Sequence, residues 1–184
     1  MIKLKVKKAE GKHDLGTSKF LGRPTLPKGL AEEFDSSVLF FLQINLEEIK
    51  DLDKENLLPH TGYLYFFIDT SDDVYDLKPI VKYFDGIPEE VIDDFNSVVP
   101  GYEEYQDEYL VEFELSNEDS SGTKLFGYPS DWNYSDEPNQ LLLQFDPLDS
   151  EMGIFDMLDG YLYFFFDHDN PLDFDKVILM EEYS

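Results

Sequence analysis

The sequence predicts an α+β fold dominated by strands. It reads as a single domain over residues 1–184, made of two diverged copies that share one core and carry a few short helices. Three observations lead there. Hydrophobic residues are 42% and aromatics 16% of the 184 residues, with 16 Phe and 12 Tyr, which is too rich for a disordered chain despite a formal charge of −27. The apolar residues fall in short β-branched and aromatic runs broken by Gly and Pro, the pattern of strands and turns. An ordered set of segments also occurs twice, at roughly 17–84 and 122–182.

In the first copy, Thr17-Ser18-Lys19-Phe20-Leu21-Gly22-Arg23-Pro24 opens the set; its counterpart is Gly122-Thr123-Lys124-Leu125-Phe126-Gly127-Tyr128-Pro129. Glycine can take a positive φ and the proline two residues on fixes the chain direction, so each reads as a turn. Leu39-Phe40-Phe41-Leu42-Gln43 then matches Gln140-Leu141-Leu142-Leu143-Gln144, two apolar strands ending in glutamine. Asn45 followed by Glu48 resembles a helix cap opening Leu46 to Leu52. Gly62-Tyr63-Leu64-Tyr65-Phe66-Phe67 and Gly160-Tyr161-Leu162-Tyr163-Phe164-Phe165 are apolar on both faces, as a strand covered on both sides must be. Between the copies, Pro88 to Phe95 carries proline and acids in a first turn with Val91, Ile92 and Phe95 at helical spacing, and predicts a helix stopped by Pro100-Gly101. Tyr109 to Leu115 alternates and predicts a half-buried strand.

Charge bounds the partners. Residues 1–28 hold eight of the 14 basic residues against Glu10 and Asp14, a local +6, while the rest of the chain carries −33. A body this acidic repels phosphate backbones, so no nucleic-acid partner is expected and a basic protein is the partner to look for. The alternating lysines of Lys3 to Lys8 read first as an outer strand lying on that body. No continuous apolar stretch follows the first basic residues, so a cytoplasmic protein with no membrane partner is expected. The absence of cysteine removes disulfides, thiolate zinc sites and cysteine nucleophiles together.

Candidate functional residues are few. Gln43 and Gln144 end equivalent strands and have two readings. Each bonds the backbone of its neighbouring Gly-x-Pro loop, or both line a cleft between the copies with Lys19 and Lys124, for an anionic ligand. Trp132 and Tyr134 sit in a polar aromatic loop suited to a protein contact. Asp167, Asp169, Asp173 and Asp175 offer oxygen donors of the kind calcium takes, without the turn glycine and closing glutamate of an EF-hand. The alternative is a solvated acidic loop, and no cofactor is otherwise predicted. His13, His60 and His168 show no ligand spacing, and no catalytic motif accompanies them, so no catalytic residues are assigned.

Ser18 to Pro27, Phe41-Leu42-Gln43-Ile44-Asn45-Leu46, Leu58-Pro59 and Gly62 to Phe67, with Leu125 to Pro129, Leu142-Leu143-Gln144, Gly160 to Phe165 and Leu172 to Val177, resemble the YwqG-like family over nearly the whole chain. That family is a bacterial domain of unknown function. The resemblance implies a compact α+β fold without an established activity, and the siting of some members near toxin and immunity genes implies an interaction role. Two expectations for function follow: a non-enzymatic interaction module that masks a basic partner, or a small-ligand-binding or enzymatic domain with its cleft between the copies.

Overall fold

A computed structural model describes residues 1–71, 77–103, 105–117, 121–132, 139–148, 152 and 160–182. Twelve strands account for its regular structure: β1 (Ile2–Lys8), β2 (Lys19–Phe20), β3 (Thr25–Leu26), β4 (Val38–Asn45), β5 (Tyr63–Asp69), β6 (Lys78–Phe84), β7 (Glu90–Val91), β8 (Tyr109–Leu115), β9 (Lys124–Leu125), β10 (Leu141–Phe145), β11 (Leu162–Phe165) and β12 (Ile178–Glu181). Ten of them form one antiparallel sheet in the order β12-β11-β10-β9-β1-β8-β2-β4-β5-β6, and β3 pairs with β7 as a separate ribbon. The sheet curls into a nearly closed barrel. Its end strands β6 and β12 are spanned by a turn of 3-10 helix, Phe174–Lys176, which sets Phe174 against Tyr83 at 6.1 Å and Asp175 against Lys82 at 2.5 Å.

The fold is therefore mostly β, and the α+β expectation is corrected. Helical structure among the described residues amounts to 3-10 turns of three or four residues. At Asn45 the side chain does cap a helical turn, accepting from Glu47 N, but the turn ends at Glu48. Pro88 to Phe95 is not a helix. Glu90–Val91 is strand β7, with Glu89 N bonding Leu26 O and Ile92 N bonding Pro24 O. Eight residues cannot recover the cost of nucleating a helix alone, and here an extended chain finds ready partners in β3. Ile92 and Phe95 still reach an apolar cluster, while Val91 is 39% exposed.

Alternation sorts the long strands into two faces. Leu64, Phe66 and Ile68 of β5, and Leu162 and Phe164 of β11, enter one large cluster inside the barrel. Tyr65 and Phe67 face outward into a second cluster, and Tyr163 and Phe165 into a third. A register shift between Phe40 and Leu42 lets Phe41 and Leu42 both face inward; one between Leu141 and Leu143 does the same for Leu142 and Leu143. Rings from both segments meet in the interior, Phe41 on Phe145 at 5.0 Å and Phe66 on Phe164 at 5.3 Å. Both aromatic strands are buried on their two faces.

The sheet order is symmetric about the β1–β8 pair. Outward from it lie β9 and β2, then β10 and β4, β11 and β5, β12 and β6. β1 and β8 share one burial pattern, buried at the first and third positions and exposed at the fourth. Yet β1 pairs with β9, and β8 with β2, so each segment's leading strand joins the other's sheet half. β1 is thus central, not an outer strand. Its lysines meet acids of β8 across the pairing: Lys3 stands opposite Glu114 and Lys5 opposite Glu112, with Lys5 also ion-paired to Glu114.

Candidate functional site

Two buried polar nodes occupy matching places in the sheet. In the first, β2 and β4 set Lys19 beside Gln43. Gln43 Oε1 accepts from Thr25 N at 2.9 Å, and its Nε2 donates to Leu15 O and Thr17 O. Tyr65 donates its hydroxyl to Thr25 O at 2.8 Å. In the second, Lys124 stands beside Gln144 across β9 and β10. Gln144 Oε1 accepts from Ser130 N, its Nε2 donates to Gly122 O, and the Tyr163 hydroxyl donates to Ser130 O. The preceding hydroxyls also match, Ser18 Oγ accepting from Asn45 N and Thr123 Oγ1 from Asp146 N.

The turns match as well. Leu21 and Gly22 are left-handed (φ 55° and 68°), as are Phe126 and Gly127 (63° and 83°). Leu21 N bonds the bulged Phe41 and Phe126 N the bulged Leu142, which holds two non-glycine residues in a costly conformation. At Gly22 the glycine is also a spatial need, since a Cβ would lie 2.2 Å from Glu108 Cγ.

Glu108 is the centre of the first node. It follows β7 in the chain and leads into β8. Its carboxylate takes Lys19 Nζ at 2.9 Å and the Arg23 guanidinium and backbone N–H at 3.2 Å. His13 Nε2 approaches it to 2.9 Å without the alignment of a hydrogen bond, so both buried His13 ring nitrogens lack a hydrogen-bond partner. Burial pushes the carboxyl up, but the bonds from Lys19 and Arg23 outweigh it and hold the group below its ordinary value. Lys19 is fully buried, and burial lowers its ammonium against the pull of Glu108. In the second node, Lys124 Nζ donates to Tyr128 O and Ser130 Oγ, and the buried Glu182 carboxylate lies 2.6 Å from the Tyr163 hydroxyl, competing with Ser130 O for its one proton. Burial and Glu182 both push that phenol up.

Lys19, Gln43, Lys124 and Gln144 are thus each buried and bonded within their own node. Trp132 is half-buried and lies edge-on to Tyr163 and Phe165, at 5.8 and 5.4 Å, as a cap on the third cluster. Tyr134 lies outside the described residues. Asp167 Oδ1 accepts from the backbone of Asp169 and Asn170, Asp173 pairs with Lys176 and Asp175 with Lys82. Among the described residues, no group of three or more His, Asp or Glu side chains is placed to hold a metal ion.

Described residues also line surface grooves. One of about 430 Å³ runs past Leu52, Asp53, Lys54, Glu55, Phe126 and Gly127 and mixes charges of both signs. Another, of about 290 Å³, has Phe34, Ile92, Phe95 and Val98 as apolar walls and Asp35 and Asp94 at its edge. The sequence pointed to neither Glu108 nor this second groove. Arg23 was the available signal for Glu108, since a lone arginine beside a tight turn calls for a carboxylate. For the groove it was Phe34, a ring set among acids.

Among the described residues, no helix is long and apolar enough to cross a membrane. No curated protein matches the chain. Over residues 18–90, which hold Lys19, Gln43 and strands β2 to β6 but not Glu108, the chain is similar to a family described as a domain of unknown function (DUF1963).

Proposed function

We propose that this protein is a non-enzymatic interaction module of the YwqG-like kind, one cytoplasmic domain built from two interlocked copies, that binds and masks a basic partner as an immunity protein does. The observation that supports it is the fate of the charges. Cations of residues 1–28 are met by acids of the same molecule: Lys5 by Glu114, Lys8 by Asp107, and Lys19 and Arg23 by Glu108. Acids still outnumber cations 41 to 14, so most carboxylates have no cation to pair with inside the chain. Such a surface speeds association with a basic protein and makes it sensitive to salt. A pull-down from host lysate at low and high salt tests this. Basic proteins held at low salt and released at high salt are expected. If none is held, the reading fails and the charge serves solubility alone.

A further inference from the structure

We propose that the groove between Phe34 and Val98 docks a basic amphipathic segment of a partner protein, aliphatic side chains entering the groove and Lys or Arg meeting the carboxylates at its edge. This rests on the basic-partner reading above and names the surface and the kind of segment.

The groove's floor is built and firm. Phe34 packs on Phe67 at 4.5 Å and edge-on to Phe95 at 6.1 Å, and Phe95 packs on Phe67 at 5.7 Å. Asn96 anchors the following 3-10 turn, Asn96–Val98, by accepting from Phe40 N at 2.8 Å and donating to Phe40 O at 3.0 Å. That turn presents Val98, which is 57% exposed. Val98 is not a lone exposed aliphatic: it joins Phe34, Ile92 and Phe95 in one apolar lining, and a contiguous apolar patch of this kind marks a contact surface.

Charge selects the occupant. Asp35 and Asp94 line the groove, and Glu32 and Glu33 are exposed on the turn leading into it, while the neighbouring Asp93 already faces Arg23 at 3.8 Å. Hydrogen bonds from the Ser37 hydroxyl and backbone hold the Asp35 carboxyl below its ordinary value, so it stays ionised and fixed in direction. No cation lines this groove, whereas Lys54 stands among the acids of the larger one. Its size also matters. A volume of about 290 Å³ has room for a few inserted side chains. An apolar trough edged by carboxylates is the complement of an amphipathic segment with cationic flanks.

The test uses the full chain and three synthetic peptides followed by fluorescence anisotropy at low salt. One alternates Leu and Lys, one is all Lys with equal charge, and one alternates Leu and Ser. The Leu/Lys peptide is expected to bind at least about tenfold tighter than the all-Lys peptide. Val98→Glu separates the contributions, because it adds negative charge while spoiling the groove. It is expected to weaken the Leu/Lys peptide about fivefold or more and to leave the all-Lys peptide unchanged or tighter, with an unchanged denaturation midpoint. Equal binding of the Leu/Lys and all-Lys peptides, indifferent to Val98→Glu, overturns the groove and leaves the basic-partner reading standing. Failure of both cationic peptides to bind overturns the two together. Equally tight binding of the Leu/Ser peptide overturns the cationic chemistry. Self-association of the chain in sedimentation, abolished by Val98→Glu, assigns the groove to a second copy and overturns the proposal.

Discussion

On the inward side of the sheet, Phe41 and Phe66 from β4 and β5 meet Phe145 and Phe164 from β10 and β11. On the outward side the same strands part company. Tyr65 and Phe67 lie under Phe34, Ile92 and Phe95, carried by residues around the β3–β7 ribbon, whereas Tyr163 and Phe165 lie under Trp132. The inward faces must fit each other to close the barrel, so a change in one is felt by both. The outward layers answer only to their own strands and are free to differ. Glu108 and β7 come from residues 85–108, between the matched regions, and the groove forms where residues 92–98 of that stretch lie against residues 31–38.

The comparison can be broken most severely from inside. Phe41→Ala removes a ring touching Phe20, Phe145 and Phe164 and is expected to cost about 3–5 kcal/mol in urea unfolding. The fluorescence of Trp132, on the opposite segment and the only tryptophan, should shift its midpoint together with the far-UV signal. A Trp132 transition that stays put would separate the two segments. Next, Gln43→Leu removes the partner of the Thr25 N–H and of the Leu15 and Thr17 carbonyls, and Gln144→Leu that of the Ser130 N–H and the Gly122 carbonyl, at an expected cost of about 1–3 kcal/mol apiece. Equal losses support equivalent nodes; a twofold disparity between the two would make one of them dispensable. The smallest effect is electrostatic and one-sided. The Glu108 carboxyl sits below its ordinary value when folded, so the stability it lends is complete above the usual glutamate range, about pH 4.3, and is lost as pH falls through the lowered value. Glu108→Gln should flatten that acid limb in denaturation midpoints measured against pH, and a limb unchanged by the substitution would count against the ion cluster.

The strands with aromatic runs were legible because burial on two faces leaves no polar alternation to confuse. Glutamines at strand ends and Gly-x-Pro turns could likewise be matched by eye, and their hydrogen bonds follow from the need to satisfy a buried amide. The bulges at Phe41 and Leu142 could not, since nothing local marks which of two adjacent apolar residues turns inward. Helix signals at Pro88 to Phe95 were present but lost to pairing with Thr25 and Leu26, some sixty-five residues back. Glu108 was hidden by abundance, because one acid among 41 cannot be singled out by spacing. The groove joins residues 31–38 to 92–98, and only the folded chain brings them together.

The exchange of leading strands has a consequence for how the chain comes to be folded. β1 leaves the ribosome before the other described strands, yet its partners β8 and β9 are made about a hundred residues later. Until then its lysines have no β8 acids to face, and β2 has only β4 beside it. Contacts of such long range close slowly. The growing chain must carry an unfinished edge at β1 and another at β2, and a single late event, the arrival of residues 109–125, completes both.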